Sequence, residues 1–209
     1  MFRHRGKRTR RLASFLRRRA GADPARRPEM DCRSFPGLFR KRAVVFTDTE
    51  DFTVRTVKDG ILHFLMIFDR FVGEAGAVVA KSGGEIVKVE ADSLLLGYGD
   101  VETACAGVEA LEALLRRMNA TLPANERLRF SYGIGYGDVL DLDADLFGLE
   151  VNLASKIGED LARPGEALLT PQAAAALDAA TQRRVVPHEV VSFGSRTIPI
   201  HRLKLRPRA

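Results

Sequence analysis

The chain has 209 residues, 45% of them hydrophobic and 29% charged, with a formal net charge of +6. That composition fits one sizeable α/β domain, or one domain plus an arm, and excludes a disordered or fibrous chain. No run approaches the roughly 18 apolar residues of a membrane-spanning helix, and the two cysteines, Cys32 and Cys105, form no C-x-x-C, so a reducing, cytoplasmic setting is expected.

Much of the positive excess sits in the first 42 residues. Residues 1–38 read as a basic arm. Within it, "RRLASFLRRR" has the period of a short amphipathic helix, with Leu12, Phe15 and Leu16 on one face. The stretch "GADPARRPEMDCRSFPG" is punctuated by Pro and Gly and reads as linker. The leading expectation for the arm is a solvated tail. Packing on the domain, contact with a regulator, or contact with anionic lipid or nucleic acid remain as alternatives. The cationic start lacks an apolar segment behind it, so a signal peptide is not expected.

Residues 39–206 read as the main domain. "RAVVFTD" is a strand, and Lys58 to Ala80 is a helix, with Ile61, Phe64, Leu65, Phe68 and Phe71 at helical spacing. Two short strands flank a tight acidic turn in "EIVKVEADSLLLGYGD". A helix follows from Val101 to Leu122. "LRFSYGIGYGDVLDL" reads as one or two strands interrupted by Gly133, Gly135 and Gly137. "DADLFG" is a loop, "EVNLASKIGEDLA" a helix, "GEALLT" a strand, "PQAAAAL" a short helix, and the end of the chain a hairpin. The order is an α+β, ferredoxin-like β-α-β-β-α-β core with a C-terminal strand, helix and hairpin added. The basic charge is confined to the arm and the core lacks an interleaved aromatic platform, which argues against nucleic-acid binding.

The first strand ends in three acids, Asp48, Glu50 and Asp51, followed by Phe52. A second acid, Asp92, sits in the turn between two apolar strands. Two carboxylates at one sheet edge are tolerated if water solvates them or if a cation belongs there. Held together, they suit Mg²⁺ or Mn²⁺, which takes its remaining ligands from water and phosphates. Spacing alone leaves both readings open.

"VVFTDTEDFT" resembles the first metal-binding motif of the class III nucleotidyl cyclases. "GGEIVKVEADSLLLGY" is similar to the second, and "DLFGLEVNLASKI" to the third; "SYGIGYGDV" and "GEALLTPQAAAAL" match the flanking segments. The resemblance runs from about Arg40 to Leu203. It implies an adenylyl cyclase that converts ATP to cyclic AMP and pyrophosphate. Asp48 and Asp92 would hold two Mg²⁺ or Mn²⁺ ions per site. The backbone from Thr49 to Thr53 would lie near the phosphates, with Phe52 packed beneath; Glu50 and Asp51 read as solvated. Lys88 and Asp145 would read the adenine edge, Asn152 would orient the ribose, and Lys156 would meet the α-phosphate. The family's sites are shared across a twofold dimer, so a homodimer is implied.

Three positions depart from the family pattern. Lys156 stands where the family usually has Arg, and lysine lacks the planar fork. Ala91 replaces the glycine before the second metal aspartate, so a different turn is expected there. The triphosphate-binding lysine of the last hairpin would fall near Ser192, with Arg196 the candidate substitute. These departures keep two alternatives in view. One is a cyclase of other base choice, making cyclic CMP or UMP in an antiphage setting. The other is a degenerate nucleotide-binding or interaction module.

Overall fold

The computed structural model describes residues 6–34, 39–142 and 144–206. The first five residues and the end of the expected linker, residues 35–38, lie outside the described residues. Among the described residues eight strands form one sheet. In chain order the elements are α1 (Lys7–Ala20), α2 (Arg27–Ser34), β1 (Phe39–Thr49), α3 (Phe52–Asp59), α4 (Ile61–Lys81), β2 (Gly84–Glu90), β3 (Ser93–Tyr98) and α5 (Val101–Asn119). Then come β4 (Phe130–Leu142), β5 (Asp145–Phe147), α6 (Leu149–Asp160), β6 (Ala167–Leu169), α7 (Pro171–Ala175), α8 (Ala179–Gln182), β7 (Val185–Phe193) and β8 (Arg196–Leu203).

The sheet runs β2-β3-β1-β4-β6-β8-β7, with β5 paired to β4. Its first four strands are the ferredoxin-like order expected from the sequence. β1 lies between β3 and β4, antiparallel to both. It is buried on both faces, which is why its apolar run is continuous rather than alternating. Ala43 and Val45 face α4 and α5, where Phe64, Phe68, Phe71, Leu111 and Leu114 fill the main core. Each such side chain contributes about 1.5–3 kcal/mol on burial. Val44 and Phe46 face the opposite side, against Leu95, Val151 and Ala154. Asp48, in phase with that second set, lies on the α6 side of the sheet.

The three glycines of β4 do not interrupt it; β4 is a single strand. They let α6 approach closely. A Cβ on Gly133 would lie 1.9 Å from the Ala154 carbonyl oxygen, and one on Gly135 would lie 2.5 Å from that of Glu150. Glu150 itself is buried, accepting from the Tyr136 amide at 3.1 Å and from Thr170 Oγ1 at 2.7 Å. α6 is thereby fixed against β4 at its N-terminal end.

The single helix expected from Lys58 to Ala80 is two helices, α3 and α4. They break at Gly60, whose φ of 85° is a left-handed conformation that glycine adopts without steric cost. The expected loop "DADLFG" contains β5, which pairs Leu142 with Asp145 and Leu140 with Phe147.

The arm departs most from expectation. α1 is packed rather than solvated: Leu12 and Phe15 are each only 3% exposed and cluster with Leu142, Leu140, Phe147 and Met30. Leu16, placed on the same face from its spacing, is 38% exposed. The linker contains α2, and Asp31 ties it to α1 by accepting two hydrogen bonds from Arg19 at 2.6 and 2.9 Å. No helix of the described residues is long and apolar enough to cross a membrane.

Candidate active site

β1 and the β2–β3 turn bring Asp48 and Asp92 to one edge of the sheet. Two threonines in phase with Val45 fasten this edge. Thr47 Oγ1 accepts from the Leu94 amide at 3.0 Å, and Thr49 Oγ1 donates to the Asp92 carbonyl at 2.6 Å. Both threonines are buried. Polar residues at alternate positions of a buried strand were the available signal for this tether, and the motif reading missed it.

Asp48 is half-buried, and its pKa is pushed up to about 6. Burial is the largest cause, followed by the like charges of Asp92 and Glu159; a Ser93 hydroxyl hydrogen bond at 3.4 Å and the Thr49 amide pull the other way. Burial also raises Asp92, against backbone amides of Asp92 and Thr49. Both carboxylates thus bear a burial cost at this edge, and the charge of Asp92 adds to the cost borne by Asp48. A cation there would relieve that cost, and hard oxygen donors suit Mg²⁺ or Mn²⁺, so the donor set fits the divalent ions implied by the resemblance. Among the described residues no three His, Cys, Asp or Glu side chains converge as a metal site. Ions at this edge would take their remaining ligands from water and nucleotide phosphates.

The turn itself keeps the left-handed conformation, with Ala91 at φ 52°. The expected change of turn does not occur; alanine adopts the strained geometry instead. Left-handed backbone costs a residue with Cβ about 1–2 kcal/mol, partly offset by the greater chain entropy that glycine loses. Ala91→Gly is therefore expected to stabilise the protein by about 0.5–1 kcal/mol in urea denaturation, without moving Asp92.

Beyond β1, Asp51 also has positive φ, at 60°, and starts α3 without a side-chain cap. Thr53 is exposed at the first turn of α3, and Phe52 packs edge-on against Phe64 at 4.8 Å between ring centroids. Glu50 is not simply solvated: it forms an ion pair with Arg129.

A second cluster forms where β2 meets β5. Lys88 Nζ lies 3.5 Å from Asp145 Oδ2 and 2.7 Å from Glu90 Oε1. The Glu90 hydrogen bond is the main reason the Lys88 ammonium is held above its ordinary pKa, and Asp145 adds to it. Lys88 follows a β-bulge in β2. Asp145 is held by its own backbone, Oδ1 accepting from the Leu146 amide at 2.9 Å. Glu90 as a competing partner of Lys88 was visible two residues away but was not singled out.

Asn152 and Lys156 lie one turn apart on α6. Asn152 is exposed. Lys156 pairs with Asp160 Oδ2 at 2.5 Å, an i,i+4 contact that the third-motif reading overlooked. Arg196 is exposed at the start of β8, opposite Phe193. β4 and β6 separate β8 from β1, and Arg196 is not brought to either cluster.

No family model matches the chain. Two curated relatives do. A protein named putative adenylate cyclase 3, from Rhizobium meliloti (strain 1021), is 27% identical over 126 residues, covering 60% of this chain and 21% of that protein. A protein named adenylate cyclase, from Streptomyces coelicolor (strain ATCC BAA-471 / A3(2) / M145), is 30% identical over 118 residues, covering 56% of this chain and 29% of that protein. The matched region is thus less than a third of either relative. Among solved structures, the catalytic core of a rhodopsin-guanylyl cyclase with converted specificity, in complex with ATPαS, superposes with a TM-score of 0.69 at 18% identity, covering 80% of this chain and 97% of that one. The adenylyl cyclase CyaB from P. aeruginosa gives 0.63 at 20% identity, covering 81% and 96%. The resemblance carried by the three motifs is thus matched by the fold over about four fifths of the chain, which has the catalytic-domain fold of the class III nucleotidyl cyclases.

Proposed function

We propose that this domain is an adenylyl cyclase, forming 3′,5′-cyclic AMP and pyrophosphate from ATP at composite sites of a homodimer. The observation that carries the reading is the pairing of Lys88 with Asp145, 3.5 Å apart, in a chain that also presents Asp48 and Asp92 at a desolvated edge. Names of the relatives and neighbours support cyclase chemistry and include both adenylyl and guanylyl enzymes.

Asp48 and Asp92 would hold the divalent cations. When bound, these supply charge neutralisation of the triphosphate and a lowered pKa for the ribose 3′-hydroxyl. The chain's own groups do the positioning. The Lys88 ammonium donates to an adenine ring nitrogen and the Asp145 carboxylate accepts from the exocyclic amine. To do so Lys88 must loosen from Glu90, a contact on the exposed side of the strand that is worth at most about 1 kcal/mol. Asn152 orients the ribose. Lys156, released from Asp160, brings a positive charge to the α-phosphate as the 3′-oxygen attacks and pyrophosphate leaves. Phe52 supports the turn beneath the phosphates, and Thr53 offers its backbone there.

A second reading has its own observation. Lys156 stands in for an arginine and is already paired with Asp160, and Arg196 sits away from both clusters. A nucleotide-binding module without turnover would look this way.

Mixing two inactive variants separates these readings and tests the shared sites together. Asp48→Ala and Asn152→Ala are each expected to be inactive. In an equal mixture, half the dimers are mixed, and each mixed dimer keeps one intact site. About a quarter of the wild-type cyclic AMP formation should return. No recovery from a mixture shown to exchange subunits would contradict composite sites, and an inactive wild type would favour the binding module.

A further inference from the structure

We infer that α1 of the basic arm is a positioning element for the base-reading pair, acting through a charge relay from Arg8 to Asp141, Arg42 and Glu85. The inference rests on the reading of Lys88 and Asp145 as the groups that meet the base.

Asp145 lies on β5, a three-residue strand whose sheet partner is β4. A hairpin this short gains little from its own pairing and depends on packing against the rest of the fold. Leu146 anchors one face of β5 in the cluster with Val139 and Val151, and α1 braces the other face. Leu12 and Phe15 bury against Leu142, the residue paired with Asp145, and against Leu140 and Phe147. This apolar contact grips the hairpin on both sides of the base-reading carboxylate.

The relay adds direction to the grip. Arg8 Nη1 on α1 lies 2.7 Å from Asp141 Oδ1 on β4. The other oxygen of Asp141 accepts from Arg42 Nη1 on β1 at 3.2 Å. Arg42 Nη2 donates to Glu85 Oε1 on β2 at 2.6 Å. Asp141 is 7% exposed, so removing one of its cations leaves a buried charge underpaired. The path is built into the sheet. A Cβ on Gly97 of β3 would lie 2.4 Å from Arg42 Nη2, so glycine there leaves the guanidinium room to cross from β4 to β2.

From Arg8 the relay reaches β4, which pairs with the strand carrying Asp145, and ends on β2, which carries Lys88. Asp141 sits beside the Leu142–Asp145 pair, and Glu85 lies on β2 just before the bulge that precedes Lys88. Displacing α1 would loosen both supports and change the separation of Lys88 and Asp145. A misplaced hydrogen-bonding pair discriminates less between bases, because discrimination depends on unpaired polar groups being costly in one geometry.

The test measures affinity for non-hydrolysable ATP and GTP analogues with Mg²⁺ by calorimetry, in the full chain, so turnover is not required. Arg8→Glu is expected to lower the ATP-over-GTP preference about three- to tenfold, Arg8→Gln less, and Arg8→Lys within about twofold of wild type. Melting temperatures are read alongside, and Arg8→Gln carries the test if Arg8→Glu fails to fold. Lys88→Ala is the reference. If Lys88→Ala collapses the preference while Arg8→Glu and Arg8→Gln leave it unchanged, the relay is overturned and the base-site reading stands. If Lys88→Ala also leaves it unchanged, or if the wild type binds neither analogue, the base-site reading falls and the inference with it.

Discussion

Asp48→Asn is expected to abolish cyclic-nucleotide formation, by at least about 10³-fold, while making the metal-free protein more stable. The two effects have one origin. In the folded chain Asp48 ionises near pH 6 rather than at its ordinary 3.8, first because it is buried and then because Asp92 and Glu159 are anionic. The folded state therefore holds this proton more tightly than the unfolded chain. Its contribution favours folding fully below the ordinary value and is lost as pH rises through about 6. At pH 7.5 the ionised carboxylate opposes folding, and the neutral isostere does not. Asparagine can still accept the Ser93 hydroxyl hydrogen bond. After solvent screening the gain should be on the order of 1 kcal/mol, or roughly 2–4 °C in Tm for a chain of this size. Mg²⁺ or Mn²⁺ should raise the melting temperature of the wild type and leave that of Asp48→Asn nearly unmoved. An Asp48→Asn protein less stable than wild type at pH 7.5 without metal would mean the carboxylate is structural.

Lys88→Glu is expected to reduce kcat/KM for ATP by about 10²-fold and to erase the preference for ATP over GTP. The ammonium that donates to the adenine ring would be replaced by an acceptor. That acceptor would also stand beside Asp145, only 3.5 Å from the present Nζ, and beside Glu90. Lys88→Met, which removes the donor without adding an anion, should lose a similar share of ATP activity without gaining any for GTP. Steady-state kinetics with both nucleotides reads the difference. An unchanged ATP-to-GTP ratio in both variants would remove Lys88 from the base site.

The features legible in the sequence are those where chemistry and period agree. The apolar run to Phe46 followed by acids marks β1 and its charged end. The two short apolar stretches flanking the acidic turn at Asp92 mark β2, the turn and β3. What was not legible came from tertiary contacts. Lys58 to Ala80 carries one apolar period, and nothing in that period shows that Gly60 adopts φ 85° and divides the helices. The glycines of β4 read as interruptions because their role, admitting α6, depends on a helix nearly twenty residues further on. β5 read as loop because three residues carry no period. The arm read as solvated because its charge dominates, while the two side chains that dock it, Leu12 and Phe15, meet partners more than a hundred residues away. At the site, sequence motifs brought Asp48, Asp92, Lys88 and Asp145 into consideration. Of the groups that restrain them, Thr49 and Glu90 left a local signal in the sequence, whereas Ser93 and Glu159 reach Asp48 only in the folded geometry.

The most direct test incubates the purified protein with ATP, GTP, CTP and UTP separately, in Mg²⁺ and then in Mn²⁺, and identifies cyclic products by mass spectrometry, with Asp92→Ala as control. Cyclic AMP as the dominant product, absent in the control, is the expected result. A cyclic pyrimidine as the dominant product would keep the two carboxylates in their role and contradict the base assignment of Lys88 and Asp145. No cyclic product from any nucleotide, by a protein shown to be dimeric, would contradict the enzyme itself.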